Sequence, residues 1–126
     1  MMINVVHFIH GLNMGGAETL VKNYVLLLDK SKFNVSVLCY EHFDSPYEEL
    51  LRQNNIEVNY VCDRIPTYQK SNIIARGIAH YLRYWLIREE LKKQKPDIVH
   101  FHLRLSGYIR FAKLKKNVRL FYTQHF

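Results

Sequence analysis

A glycine-rich segment after the first apolar stretch constrains the fold of this chain more than any other feature. Residues 3–9 are almost wholly apolar, as in a parallel strand covered on both faces. Residues 11–19 then read GLNMGGAET. The apolar positions that follow have the spacing of one helix face: Ala17, Leu20, Val21, Tyr24, Leu27 and Leu28. The pattern predicts a strand, a glycine turn and a helix whose free N–H groups favour an anion.

The same alternation continues along the chain and predicts the fold class. Further strand-like runs occupy residues 33–40, 56–62, 97–102 and 118–124, and helical segments between them occupy residues 45–53, 72–95 and 106–116. Strands that alternate with helices form a parallel sheet with helices on both faces and right-handed crossovers. We therefore expect an α/β fold, a Rossmann-like doubly wound sheet of five strands in the order 3-2-1-4-5.

Two of the helices carry more specific signals. A capping box with proline at the first helical position, Ser45-Pro46-Tyr47-Glu48, opens the second helix. The long third helix stops before Pro96, and we expect Leu82, Trp85 and Leu86 to pack on the sheet.

In doubly wound sheets, ligands bind at the carboxyl ends of the strands, beside the point where strand order reverses. Here that point lies between the first and fourth strands. The candidate anion-binding loop is Gly15, Gly16, Ala17 and Glu18, and the candidate contacts to the rest of a ligand are Asn13, Arg104 and Ser106. The loop matches neither the dinucleotide fingerprint nor the P-loop, and a tight turn without a ligand is the alternative.

Three histidines near this edge are candidate site residues. His100 and His102 share one face of a strand and could ligate zinc, but no nearby cysteine or carboxylate completes a ligand set. We therefore expect no metal and a buried, hydrogen-bonded His100. His102 and His125 each end a strand facing the predicted crevice, where a general base or a hydroxyl-orienting group would sit. The alternative for each is a polar residue that merely finishes a strand.

The whole chain of 126 residues has a net charge of +7, and its positive charge is concentrated in the second half. Candidate contacts to an anionic membrane surface are Arg76, Arg83, Lys113, Lys115 and Lys116. Arg76, His80 and Arg83 are expected to share the outer face of the long helix. A solvated helix face explains the same charges. No recognisable nucleic-acid-binding module is present, so we expect no nucleic-acid partner.

The sequence also gives an expectation about location. No apolar run approaches the roughly 18 residues that a membrane span needs, and the N-terminal segment lacks the basic start of a signal peptide. We expect a cytoplasmic protein, with peripheral contact to the inner face of the cell membrane.

Three motifs together resemble family 4 glycosyltransferases, and the resemblance runs along essentially the whole chain. They are GGAE at residues 15–18, KPDIVHFH at residues 95–102 and TQH at residues 123–125. The resemblance implies a retaining GT-B enzyme of capsule, lipopolysaccharide or related glycan synthesis. It implies that Gly15 and Gly16 approach the donor diphosphate and that His125 orients the transferred sugar or the acceptor. It implies no metal or other cofactor, with a nucleotide-sugar as co-substrate.

By that resemblance, residues 1–126 are an N-terminal, acceptor-side domain, incomplete and without the donor-binding domain, which would have to be supplied in cis or in trans. We therefore expect the chain alone to be inactive in sugar transfer. One alternative is a nucleotide- or dinucleotide-binding Rossmann domain of an oxidoreductase or epimerase, in which Glu41 would bind a ribose. Another is a basic module that binds a membrane or nucleic acid.

Overall fold

The computed structural model describes residues 2–12, 16–42, 44–61, 73–102 and 105–123. Strands and helices alternate throughout these residues. The strands are β1 (Ile3–Ile9), β2 (Phe33–Cys39), β3 (Glu57–Tyr60), β4 (Ile98–His102) and β5 (Arg119–Thr123). The helices are α1 (Gly16–Leu27), α2 (Pro46–Gln53), α3 (Ile73–Lys93) and α4 (Ser106–Ala112).

The five strands form one parallel sheet in the order β3-β2-β1-β4-β5. This confirms the fold class and strand order expected from the sequence. Strand β1 lies at the centre, where Val5 is in register with Val35 of β2 and Ile98 of β4. The chain winds outward from β1 in one direction through β2 and β3, then in the other through β4 and β5, so the switch point lies between β1 and β4.

Each face of the sheet packs against its own pair of helices. Alternate side chains of β1 point to opposite faces, with Val6 and Phe8 in the core beside α3 and α4, and Val5 and Ile9 in the core beside α1 and α2. Because both faces of β1 are covered, its sequence is nearly continuously apolar. A large side chain that is fully buried, such as Phe8, contributes about 1.5–3 kcal/mol to stability.

The inward face of α1 differs from the expected one. Val21 and Val25 are fully buried, whereas Leu20, Tyr24 and Leu27 are exposed, Leu27 by 84%. The apolar residues of this helix spread around more than one face, so spacing alone allowed two overlapping choices. The two valines, four residues apart, are the fully buried pair, and Leu28, also predicted to face inward, packs partly against the same core.

The inward face of α3 also differs from the expected one. Ala79, Ile87 and Leu91 are the buried apolar residues, whereas Trp85 is 40% exposed. Leu86 does pack partly against the core, as predicted. Residues four apart form the inner surface here, and the small Ala79 side chain lets the helix lie close to its neighbours.

Element lengths follow the local backbone. Helix α4 ends at Ala112 rather than at residue 116, because Lys113 adopts a left-handed conformation with φ 48°. Ser45 caps α2 as predicted, accepting a hydrogen bond from the backbone N–H of Glu48, and Pro46 occupies the first turn. Residue 72, the predicted start of the third helix, lies outside the described residues.

Candidate functional site

Strands β1, β2 and β4 end at the same edge of the sheet, and α1 begins there. Residues 10–12 follow β1, and Gly16 opens α1 within the glycine-rich segment. The N-terminus of this helix therefore lies at the switch point, where its unpaired N–H groups and its dipole favour an anion. Gly16 and Ala17 belong to its first turn, and Glu18 in that turn is half-buried. Asn13 and Gly15 lie outside the described residues.

Helix α2 contacts the chain on both sides of the glycine-rich segment. The hydroxyl of Ser45 donates a hydrogen bond to the carbonyl of Leu12, whose side chain is fully buried. The hydroxyls of Thr19 in α1 and Tyr47 in α2 lie 2.9 Å apart. Leu12, which follows β1, and Thr19 in α1 are therefore both tied to α2 or its cap.

An imidazole and a carboxylate lie next to each other at the same edge. His10 Nε2 is 3.4 Å from Glu41 Oε2, and both side chains are roughly half exposed. The backbone N–H of Glu41 donates to the carbonyl of His10 at 2.7 Å, and the His10 ring stacks on Tyr40. The pair can accept from and donate to the hydroxyls of a sugar or ribose. Sequence reasoning singled out Glu41 only as a ribose ligand and missed His10.

Arg83 does not lie where the sequence analysis expected it. It shares the inner face of α3 with Ala79 and Ile87, and its guanidinium lies over the ring of Tyr40, 5.3 Å from the centroid. The prediction that Arg83 belongs to the outer, membrane-facing side of the helix is therefore wrong. The four-residue spacing from Ala79 and Ile87 is the signal that could have placed it inward.

Tyrosine rings surround this arginine at the end of β2. Tyr84 of α3 and Tyr108 of α4 have ring centroids 4.6 Å apart, and Tyr108 also approaches Tyr40 at 6.2 Å. Burial and the neighbouring Tyr84 raise the pKa of the Tyr108 hydroxyl above its ordinary value, so this hydroxyl stays protonated at neutral pH. The tyrosine cluster therefore places aromatic rings next to the Arg83 guanidinium.

Three imidazoles, from His7, His100 and His102, lie together on the face of the sheet that α1 covers. His7 is in register with His100, and its Nδ1 lies 3.5 Å from Nε2 of His102. His102 is fully buried, His7 is nearly so, and His100 is half-buried. Burial, with the neighbouring His100, lowers the pKa of His7 to about 4, so its imidazole is neutral at pH 7.

The predicted histidine roles have different outcomes. His102 does end β4, but its side chain is completely buried beside His7 and does not face an open crevice, so that part of the prediction is wrong. His100 lies within the sheet as expected, although only half-buried. His125 and Arg104 lie outside the described residues, and Ser106 opens α4. Sequence reasoning missed His7, because only the register of β1 against β4 brings it to the other two.

A second group of ligand-type side chains lies at the start of α2. His42 Nε2 is 2.8 Å from Asp44 Oδ1 and 3.3 Å from Oε2 of the buried Glu48. The guanidinium of Arg52 lies 3.4 Å from the same ring nitrogen. Asp44 and Glu48 thus already have cations or donors beside them, as in an ion-pair network.

The lysine candidates lie far from this edge, whereas Arg76 lies in the first turn of α3. Lys113 and Lys115 line a groove of about 480 Å³ with Lys92 and Lys95, where α3 and α4 end and β4 begins. Lys116 follows as an exposed turn residue, and Arg76 belongs to α3. These lysines therefore occupy the amino-terminal edge of the sheet, opposite the glycine turn.

The fold and the arrangement of this edge define the class of protein. The chain is a Rossmann-like α/β domain, with its ligand edge at the carboxyl ends of β1, β2 and β4 and a helix N-terminus at the switch point. The family model described as Glycosyltransferase Family 4 matches residues 14–126. The chain therefore belongs to glycosyltransferase family 4.

A curated relative agrees with this assignment. The chain is 31% identical over 110 residues to EpsF of Bacillus subtilis (strain 168), which its name assigns to the glycosyltransferases. The match covers 86% of this chain and 26% of EpsF, so the chain spans about a quarter of that relative's length.

Proposed function

We propose that this chain is the N-terminal, acceptor-side part of a retaining GT-B glycosyltransferase. The enzyme would move a sugar from a nucleotide-sugar donor to a glycan or lipid-linked acceptor of a surface polysaccharide. The proposal rests on the glycine-rich segment at the start of α1, which lies at the switch point in a family 4 chain. A helix N-terminus in that position suits the diphosphate of a donor or the phosphate of a lipid carrier.

The side chains around the turn support a sugar as the other ligand. Glu18 in the first turn of α1 and the exposed His10–Glu41 pair offer acceptors and donors to hydroxyl groups. Arg83, over Tyr40, adds a cation on the other face of the sheet. In this proposal His125 orients the sugar or the acceptor, and His102 supports the site from within the sheet.

Two glycines on helices allow a matched test of the turn in the complete enzyme. Gly16→Val places a branched side chain where the diphosphate should approach, so donor use should fall by orders of magnitude while the protein still folds. Gly77→Val is the control, because a Cβ at Gly77 in α3 meets nothing within 4 Å. If Gly16→Val leaves kcat/KM for the donor at the level of Gly77→Val, the turn is structural only.

A thermal shift separates this proposal from a dinucleotide-binding enzyme. UDP- and GDP-sugars should raise the Tm of the complete enzyme, and NAD should not, because the loop lacks the spacing that receives a dinucleotide pyrophosphate. A larger shift with NAD than with any nucleotide-sugar would contradict the proposal.

The acceptor is proposed to lie at an anionic membrane, which α3 would contact. Its outer face carries an exposed apolar stripe formed by Ile74, Ile78, Tyr81 and Trp85. At 100° per residue these four positions lie within about 60° of one another around the helix. Among the described residues, no helix has the length and apolar character needed to cross a bilayer. The stripe suits an interfacial contact.

Cations continue this surface in the direction of the amino-terminal edge. The Arg88 guanidinium lies 5.1 Å from the ring centroid of Trp85, and Lys92 follows one turn later. Lys92 also lines the groove that contains Lys113 and Lys115. An apolar stripe joined to a basic patch matches the two attractions of an acidic lipid surface, where each nearby cation contributes about 1 kcal/mol.

Vesicle binding tests this surface directly. The protein should bind phosphatidylglycerol vesicles more strongly than phosphatidylcholine vesicles, and added salt should weaken the binding. Ile78→Glu combined with Tyr81→Glu should abolish it. Leu27→Glu on α1 is the control, because Leu27 is exposed and apolar but lies outside the stripe. Equal binding to both vesicles, or equal loss in the control, would contradict a membrane role for α3.

A further inference from the structure

Two neighbouring strands bring three imidazole side chains together in the sheet. The nearest ligand atoms of His7, His100 and His102 all lie within 4.8 Å of one another. His7 and His100 sit directly opposite each other on β1 and β4, and His102 is the next residue of β4 on the same face. The sheet therefore fixes the backbone positions of the three histidines. Rotation of the side chains alone would bring one nitrogen of each ring to a single metal ion.

We propose that His7, His100 and His102 form a binding site for a divalent transition metal of borderline softness, with Zn²⁺ as the first candidate. Three protein nitrogens with a fourth position left open is a known zinc arrangement. Imidazole suits Zn²⁺, Cu²⁺, Ni²⁺ and Co²⁺, whereas Ca²⁺ and Mg²⁺ need oxygen ligands that this cluster lacks. The proposal is independent of the sugar-transfer function.

The distances fit such a site after a small closure. With Zn–N bonds of about 2.0–2.1 Å, the ligand nitrogens of a tetrahedral site lie about 3.3–3.4 Å apart. His7 Nδ1 and His102 Nε2 are already 3.5 Å apart. The rings of His100 and His102 are stacked, with centroids 4.3 Å apart, so a rotation of the half-buried His100 ring is the main adjustment required.

The cluster is open to solvent on one side, where His100 is half-buried. Access is through a groove of about 390 Å³ beside His7 and His100, which Tyr24, Leu27 and Phe33 also line. The groove leaves room for a water molecule or an anion at the open position, which lowers the cost of placing a cation against an apolar wall.

The cluster of His42, Asp44 and Glu48 is a poorer site, although its ligand atoms are equally close. The Arg52 guanidinium already lies 3.4 Å from the His42 ring nitrogen, so a metal ion there would face a fixed positive charge. This contrast supplies the control for the experiment, because His42→Ala removes an imidazole from the other candidate set only.

The test is a cobalt titration of the purified protein after treatment with a chelator. One equivalent of Co²⁺ should give the visible absorption of a four-coordinate ion, and Zn²⁺ should displace it. Zn²⁺ at about 100 times its Kd should raise the Tm by roughly 10 °C. His100→Gln should weaken binding at least about 100-fold, and His42→Ala should leave it unchanged.

Several outcomes would overturn the site. They are the absence of the cobalt spectrum, equal affinity in the wild type and in His100→Gln, or loss of binding in His42→Ala. Circular dichroism checks that His100→Gln is folded, which its half-buried position favours. If that variant does not fold, His7→Gln takes its place, and retention of full affinity there would equally refute the proposal.

Discussion

His7 is held in its neutral form by the fold, which makes it sensitive to acid. Its pKa is about 4 in the folded chain and 6.5 in its ordinary state, mainly because of burial. Between these values the unfolded chain binds one more proton than the folded chain, so stability falls as pH falls from 6.5 towards 4. The loss should reach up to about 3 kcal/mol. Urea unfolding between pH 8 and pH 4, with a chelator present, measures it.

A matched pair of variants isolates the contribution of His7. His7→Phe should remove most of this pH dependence, because a ring of similar shape no longer binds a proton. His80→Ala should retain it, since His80 is exposed on α3. If His7→Phe keeps the wild-type slope between pH 6.5 and pH 4, another group causes the acid sensitivity.

Part of the histidine cluster could be predicted from the sequence. The side chains of His100 and His102 share a face because strand residues alternate with period two, and the structure confirms that placement. His7 could not be added in the same way, because its position depends on how β1 and β4 are aligned. The burial of His102 has the same origin, since it depends on which helix covers the end of β4. Arg83 differs, because its four-residue spacing from Ala79 and Ile87 was visible in the sequence.

The capping residue of α2 also holds a neighbouring segment in place. Ser45 accepts from the backbone N–H of Glu48 and donates to the carbonyl of Leu12, and it is buried. Ser45→Ala would remove the cap and leave a buried carbonyl without its donor. The free energy of unfolding should fall by about 1–3 kcal/mol, measured by chemical denaturation.

Ser31 is the matched control for this substitution. It also bonds through its hydroxyl, to Asp29, but it lies in an exposed turn. Ser31→Ala should therefore change stability by less than about 0.5 kcal/mol. Equal losses of unfolding free energy in the two variants would mean that the hydrogen bond from Ser45 to Leu12 adds no more stability than an exposed one.

The elements themselves were largely predictable, and their faces were not. The bounds of β1 and the cap of α2 follow from local signals: an unbroken apolar run, and Ser45 before Pro46. The inner face of α3 depends on what it meets, and the sheet accepts Ala79 and Ile87 rather than Trp85. Large aromatic residues on a helix can therefore face away from the sheet. On α3, Tyr81 and Trp85 are both exposed in this way.

The strand order of the sheet agrees with the general rules for strand–helix–strand connections. Helical segments between all successive strands require parallel neighbours, and right-handed crossovers leave few arrangements of five strands. The observed order, β3-β2-β1-β4-β5, is one of these, and it also places the start of α1 at the switch point. In the proposed enzyme, the choice of donor, acceptor and linkage would depend on side chains that face a second domain, and the strand order does not determine it.

Residues 1–126 alone should not transfer sugar. A retaining transfer needs donor and acceptor held together at reacting distance, and this chain corresponds to about a quarter of its relative EpsF. We therefore expect the purified chain to produce no glycoside and to release no nucleoside diphosphate from a panel of UDP- and GDP-sugars. The same panel with the complete enzyme is the positive control. Multiple turnovers by residues 1–126 alone would show that one Rossmann-like domain can hold both substrates, and would overturn the proposed division into acceptor-side and donor-side domains.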